Sequence, residues 1–317
     1  MQMMRFRNGD EIPALGLGTW QAEPGVVGAA VRAAIEAGYR HLDCAAIYQN
    51  QTEIGEALRE VLASGEVRRE DLFVTSKLWN DRHAPADVIP ALDESLADLG
   101  LEYLDLYLVH WPVAHKKGVW IPETTDEFVS LDEIPLAATW SKMEDAVDRG
   151  LCRHIGVSNF SEKKIRALAA GARIAPEANQ VELHPYLQQQ ALVDYCLAEG
   201  MVVTAYSPLG SPARPPGLRA EDEPVLLEDP VIGAIAARHD ATPAQVLIRW
   251  AMQRGTTVIP KSVHVERMQQ NLAAADLTLT PDDMCEIAGI ERARRYISGA
   301  TWAPDGSPYT IESLWDE

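Results

Sequence analysis

Basic residues are scarce in this chain of 317 residues. Lys and Arg number 28 against 47 Asp and Glu, for a formal charge of −19. A surface this acidic repels nucleic-acid backbones and anionic membranes, so neither is expected as a partner. Cysteine is also rare. Cys44, Cys152, Cys196 and Cys285 lie far apart and form no Cys-x-x-Cys pair, the pattern of reduced thiols in a cytoplasmic protein. No apolar run approaches the ~18 residues that span a bilayer, and Met1–Asp10 is too polar for a signal peptide. The eight histidines show neither His-Glu-x-x-His nor a Cys/His spacing suited to zinc, so no metal is expected. Gly-x-x-x-x-Gly-Lys is absent, which argues against nucleotide hydrolysis, and there is no Tyr-x-x-x-Lys reductase motif. Gly16-Leu17-Gly18-Thr19-Trp20 supplies only the first two glycines of a Rossmann fingerprint, so that fold is excluded too.

What is present is a large apolar fraction, 47%, enough for a sizeable core. Met4–Arg7 and Ile12–Leu15 flank the turn signal Asn8-Gly9-Asp10 and read as a hairpin. After it, short apolar runs alternate with helical patterns. The strand candidates are Leu15–Gly18, Arg40–Asp43, Leu72–Lys77, Leu104–Val109, Arg153–Val157, Asn179–Leu183, Val202–Tyr206 and Thr257–Pro260. Gly38 and Gly100 read as helix stops, Ser161 as a helix cap, and Thr242-Pro243 and Thr280-Pro281 as helix starts. Eight such units make the periodicity of a single (β/α)₈ TIM barrel over residues 1–317. Three stretches break the rhythm: His115–Ala138, long and helix-poor; Ser207–Glu228, rich in Pro and Gly; and the aromatic-bearing tail Arg292–Glu317. Long irregular loops in a compact domain are usually functional, and the first two follow strands, on the face where barrels keep their sites.

Asp43, Tyr48, Lys77 and His110 each stand at or just past the end of a predicted strand. Alone, Asp43 would be a helix cap, Tyr48 core filling and His110 a satisfied core histidine. Together they form a proton-delivery set. Tyr48 can give a proton to a carbonyl oxygen, Lys77 can ease its loss, Asp43 can hold and charge-pair Lys77, and His110 can bond the same oxygen.

The segment GYRHLDCAAIYQNQTEIG (Gly38–Gly55) resembles the first signature of the aldo-keto reductase family, in its aldose and aldehyde reductase branch. The resemblance continues in VTSKLWN (Val74–Asn80), LDLYLVHWP (Leu104–Pro112), IGVSNF (Ile155–Phe160), NQVELHPY (Asn179–Tyr186), AYSPLGS (Ala205–Ser211) and IPKSVHVERMQQN (Ile259–Asn271). It covers nearly the whole chain in the family's order. It implies an oxidoreductase that passes a hydride from a nicotinamide cofactor to an aldehyde or ketone. Tyr48 then matches the general acid, with Lys77 expected to lower its pKa. His110 either orients the carbonyl oxygen or shares the proton.

By the same resemblance, the cofactor lies across the C-terminal face. Ser158, Asn159 and Gln180 match partners of the nicotinamide carboxamide, and Tyr206 the ring stacked beneath it. Ser207, Leu209 and Ser211 match the loop over the pyrophosphate. Thr19 and Trp20 match neighbours of the nicotinamide ribose and the pocket mouth, and Asp43 is a further cofactor-binding residue. Lys261, Ser262 and Arg267, with Val263, Gln270 and Asn271, match the adenosine end. Two cations and a hydroxyl make a cradle for a 2′-phosphate, so NADPH is expected, with NADH as the weaker alternative. Gln270 stands where many relatives carry Glu, and adenine contact is expected in altered form. Gln51 also replaces a common Glu, away from the chemistry. Animal aldose reductases latch the pyrophosphate loop with an acid–lysine pair. The matching positions here, Ala213 and Gln21, cannot form one, so a looser loop and faster cofactor release are expected.

Trp20, Trp79 and Trp111, with Tyr48 and His110, match the walls of the family's substrate pocket; Trp302 and Trp120 are further candidates. The tail, with Trp302 and the stretch Ser307-Pro308-Tyr309-Thr310, is similar to tails of sugar-aldehyde reductases. The expected substrates are aldoses, short hydroxy-aldehydes and aromatic aldehydes. A ketosteroid or diketo-sugar reductase on the same scaffold stays open, as does a non-catalytic NADPH-sensing barrel, which the complete set of four residues argues against. With no obvious exposed apolar stripe, a monomer is expected.

Overall fold

Strands buried on both faces must be apolar throughout, whereas a turn needs residues that bond their own backbone. The second demand is met at the start of the chain. In this computed structural model, which describes every residue except Met1, Ala213, Pro216, Leu218, Glu221 and Asp222, β1 (Met3–Arg5) pairs antiparallel with β2 (Glu11–Pro13). Between them the Asn8 side chain donates to Asp10 at 2.9 Å and accepts the Asp10 N–H at 3.0 Å.

The series then runs through β3 (Leu17–Gly18), β4 (His41–Asp43), β5 (Phe73–Leu78) and β6 (Leu104–Val109). A small antiparallel hairpin, β7 (Ala114–His115) with β8 (Phe128–Val129), intervenes. After it come β9 (Cys152–Ser158), β10 (Ala178–Glu182), β11 (Val202–Tyr206) and β12 (Thr257–Val258). Eight of these form one sheet in the order β12-β11-β10-β9-β6-β5-β4-β3. Leu15 and Gly18 bridge in parallel to Val258 and Lys261, which brings the first strand of the series to the last. This is the (β/α)₈ fold.

Helices follow the strands: α1 (Val27–Ala37), α2 (Gln51–Ser64), α3 (Pro85–Leu99), α4 (Leu136–Asp148), α5 (Glu162–Ala169), α6 (Gln190–Ala198), α7 (Pro230–Arg238), α8 (Pro243–Gln253), α9 (Val265–Ala273), α10 (Pro281–Ala288) and the short α11 (Ile311–Trp315). Gly38 and Gly100 end α1 and α3 in the left-handed conformation, at φ 111° and 65°. Ser161 caps α5 through the Lys164 N–H, and Thr242 and Thr280 form capping boxes on α8 and α10. All are as read from the sequence.

The strand expectations hold to within two residues. At Leu15 and at Ile259–Pro260 the pairing thins to single bridges and bonds. The helix-poor reading of His115–Ala138 holds: the stretch carries the β7–β8 connection and β8, and α4 begins only at Leu136. The tail, read only as aromatic, carries α11, capped by Thr310.

The chain divides into two compact units, Met1–Leu42 with Gln180–Ile297 and Asp43–Asn179 with Ser298–Glu317. Cys44, Cys152 and Cys196 are buried and Cys285, on α10, is exposed; none of them forms a disulfide among the described residues. Among the described residues no helix is long and apolar enough to cross a membrane, and no cluster of His, Cys, Asp and Glu is suited to a metal ion.

Candidate active site

Within the unit Asp43–Asn179 with Ser298–Glu317, the strand ends set the chemistry. Asp43 closes β4, Tyr48 ends a 3₁₀ turn over Ala46–Tyr48, Lys77 lies near the end of β5, and His110 follows β6. Lys77 is 0% exposed and Asp43 2%. An ammonium has three donors and no acceptor. The Lys77 Nζ spends all three, on Asp43 Oδ2 at 2.7 Å, the Cys44 carbonyl at 2.9 Å and the Tyr48 hydroxyl oxygen at 3.3 Å. Tyr48 thus accepts from the ammonium and keeps its own proton to give. Its half-buried side chain remains open to an incoming group.

Burial pushes the Tyr48 hydroxyl well above its ordinary value of 10, and the charges of Asp43 and Cys44 push the same way. Burial thus outweighs the lowering expected from Lys77, and the net shift is upward. Asp43, at 2.7 Å, offsets part of the ammonium's pull toward the phenolate. Tyr48 stands as a protonated phenol.

His110 is buried, and its ring meets Trp79 edge-on at 5.1 Å and Tyr48 at 6.1 Å. Burial, then the Lys77 charge, then His83 drive its imidazole well below 6.5. It is neutral at ordinary pH, which suits orienting an oxygen better than passing on a proton. Its backbone is fixed by its N–H to the Leu78 carbonyl at 3.1 Å and by the Asn159 amide donating to its own carbonyl at 3.0 Å.

Around the four residues stands an aromatic wall. Trp302, 5% exposed, lies 5.7 Å from both Trp79 and Trp111 and 5.2 Å from His115. Trp111 also meets Trp315 at 5.8 Å. The Trp79 indole N–H is taken by the Trp120 carbonyl at 2.7 Å, so Trp120 contributes its backbone while its ring stays exposed. Trp79, Trp111 and Trp302, predicted as pocket residues, are brought together with Tyr48 and His110. Ser158 closes β9, and Asn159 adopts φ 64° with its amide on the Ser158 hydroxyl at 3.2 Å.

The unit Met1–Leu42 with Gln180–Ile297 holds the other predicted cofactor residues. Buried Thr19 and half-buried Trp20 follow β3. Gln180 is buried within β10, and Tyr206 ends β11 half-exposed. Ser207 and Ser211 both take positive φ, 49° and 50°, around a turn in which the Gly210 N–H donates to the Ser207 carbonyl at 2.9 Å; Leu209 is half-buried. Lys261 follows β12, exposed, with Nζ on the Gln21 carbonyl at 3.2 Å. Ser262 and half-buried Val263 lead into α9, the Ser262 Oγ accepting the His264 N–H at 3.1 Å. Arg267 lies exposed on the first turns of α9 and makes no hydrogen bond or ion pair among the described residues. Gln270 is exposed and Asn271 buried on the same helix. Of the latch positions, Ala213 lies outside the described residues, and Gln21 offers its carbonyl to Lys261.

Sequence reasoning missed the carbonyls of Cys44 and Trp120, which any residue could supply. It also missed the indole of Trp315, whose contact with Trp111 depends on α11.

Comparison with known proteins agrees with this geometry. The sequence profile of the Aldo/keto reductase family matches residues 14–292. An aldo/keto reductase of Synechocystis is 54% identical over 317 residues, covering 100% of this chain and 97% of its own. Aldo-keto reductase family 1 member A1 of Mus musculus is 50% identical over 294 residues, covering 92% and 90%. The solved structure of the aldose reductase from Schistosoma japonicum superposes with a TM-score of 0.87 at 42% identity, covering 95% of this chain and 96% of the other. The chain belongs to the aldo/keto reductase family.

Proposed function

We propose that the protein is an NADPH-dependent aldehyde reductase, a single catalytic domain over residues 1–317 that turns small aldehydes into alcohols. The observation that carries the reading is the saturated ammonium of Lys77, which leaves the Tyr48 proton as the one to be given away. When bound, NADPH would supply the hydride that the carbonyl carbon takes up. As negative charge grows on the carbonyl oxygen, Tyr48 donates its proton to it. Lys77, 3.3 Å from the phenol oxygen, stabilises the phenolate left behind. Neutral His110 holds the carbonyl oxygen toward Tyr48, and the apolar faces of Trp79, Trp111 and Trp302 exclude water and accept varied side groups.

Lys261, Ser262 and Arg267 fit the 2′-phosphate of NADPH. They gather at the start of α9, where the helix dipole also favours an anion, and Arg267 is not spent on a carboxylate although the protein carries 47 acidic residues. Ser158, Asn159 and Gln180 would hold the carboxamide, and Tyr206 would stack on the nicotinamide ring.

The test is a 340 nm assay with NADPH and, separately, NADH, against glyceraldehyde, xylose, an aromatic aldehyde and a ketosteroid. NADPH consumption with the aldehydes is expected. Tyr48→Phe should lower turnover by about 10²–10⁴ while sparing NADPH binding; near-normal turnover would rule out Tyr48 as the acid.

A further inference from the structure

Arginine is almost never fully buried unless paired. Arg214, in the loop between β11 and α7, is 1% exposed. Its guanidinium pairs with Glu223, donates from Nη1 to the Ser211 carbonyl at 3.1 Å and lies 5.0 Å over the Tyr296 ring. Glu223 also accepts Arg294 Nη2 at 3.1 Å and the Ala220 N–H at 3.4 Å. The Tyr296 hydroxyl donates to the Pro224 carbonyl at 2.7 Å. Both arms of the loop therefore meet on the segment 294–296, which follows α10.

That segment is anchored in turn. Glu182, fully buried at the end of β10, accepts the N–H of Tyr296 at 2.6 Å, that of Ile297 at 2.8 Å and the His184 Nε2–H at 2.8 Å. The His184 ring lies 4.9 Å from Tyr296. The loop's near arm is fitted to the same ring. At Gly210, φ 79°, an added Cβ would fall 3.2 Å from Tyr296 and 3.0 Å from Leu226. All these residues belong to one compact unit. Burial pushes the Glu223 carboxyl up, but hydrogen bonds from Arg214 and the Ala220 N–H, with the Arg214 charge, hold it below 4.5. The acid stays ionised at working pH.

We propose that Arg214 and Arg294, sharing Glu223 over Tyr296, form a clasp that fixes the loop at Ser211 and sets how fast NADPH leaves. The proposal rests on the cofactor reading above, in which Ser207, Leu209 and Ser211 face the pyrophosphate. Arg214 and Glu223 are positioning residues: they act through the Ser211 backbone, which receives both the Arg214 N–H, at 3.3 Å, and its guanidinium. The clasp would stand in for the acid–lysine latch, so it predicts slow release where the missing latch alone predicts fast release.

Two measurements test it. Stopped-flow fluorescence reads NADPH release, and tryptic cleavage at Arg219–Ala220 reads the loop without cofactor. Arg219 is exposed, with Nε on the Arg214 carbonyl at 2.8 Å. Glu223→Gln should speed both about tenfold, because it removes the charge that Arg214 and Arg294 share, while single-turnover reduction at saturating NADPH stays unchanged. Glu223→Asp should fall between. Should Glu223→Gln misfold by circular dichroism, Tyr296→Phe, which loses only the bond to Pro224, should show a smaller effect in the same direction. Unchanged release from a variant that binds NADPH overturns the clasp alone, and so does an equal slowing of single-turnover reduction. Failure of the wild type to bind NADPH sinks the cofactor reading and with it the loop's role in release, even where cleavage still accelerates.

Discussion

Lys77 has no spare donor, and that makes its loss costly in two currencies. Lys77→Met would leave the Asp43 carboxylate buried without its partner, a change that typically destabilises by about 3–5 kcal/mol. It would also leave the Tyr48 phenolate unsupported. We expect a lower urea midpoint and near-complete loss of reduction; a variant of wild-type stability and activity would contradict both roles. His110 gives a second expectation at this scale. Its imidazole is held well below 6.5 by burial, with Lys77 and His83 adding to the effect, so it carries no charge change through the neutral range. The pH–rate profile should show no step between about pH 6 and 8. A step near 6.5 that vanishes in His110→Asn would show the opposite. The side chains of this site were legible in the sequence because acid, base and orienting groups must be particular residue types at strand ends. What escaped were backbone partners, such as the Cys44 carbonyl on Lys77, because the sequence does not mark which carbonyl a fold will aim. The direction of the Tyr48 shift also escaped, since its largest cause is burial, which depends on the packing around the phenol.

Among the elements, the tail and the β7–β8 hairpin are joined by one hydroxyl. The Tyr309 OH accepts the Ala114 N–H at 2.8 Å and donates to the Val129 carbonyl at 2.6 Å. Tyr309→Phe would leave a buried N–H unpaired, at a cost of about 1–3 kcal/mol. The next layer inward is Trp302 against Trp79 and Trp111. We therefore expect Tyr309→Phe to raise KM for aromatic aldehydes more than it lowers kcat, with a lower Tm; unchanged KM would disconnect the tail from the pocket. The parallel strands could be read because nearly all their residues are buried, as in β6, where all six are. The hairpin could not. Its strands are two residues each, too short for a period, and the side chain that secures them lies about 180 residues further on. The five-residue α11 escaped for the same reason of length, although its Thr310 cap was there to be seen.

At the scale of the whole molecule, buried histidines tie stability to pH. Burial, aided by His115, lowers His83 to about 3, and both its ring nitrogens are buried without a partner among the described residues. Burial lowers His115 to about 4, against the Val119 carbonyl and Glu127, which raise it. The unfolded chain takes up these protons near 6.5 and the folded one does not. Stability from this source is therefore complete above 6.5 and falls as pH drops toward 4 and 3, by about 1.4 kcal/mol per pH unit for each histidine. Urea midpoints measured at successive pH values should decline across that window, and His83→Phe should flatten the decline. An identical slope in the variant would show that His83 titrates alike in both states. The overall charge of −19 was plain from composition, and so was the exceptional cationic start of α9. Composition did not show that Arg214 and Glu223 would be withdrawn from the surface to pair with each other.

The four thiols are unequal, and labelling chemistry can exploit it. Cys44, Cys152 and Cys196 are buried, and burial, with Glu177 nearby, raises the Cys152 thiol to about 12; Cys285 alone is exposed, on α10. A colorimetric thiol reagent should count one group in the native protein and four in denaturant. A maleimide dye would then have a single address without any engineered cysteine, a few residues ahead of the segment on which the clasp closes.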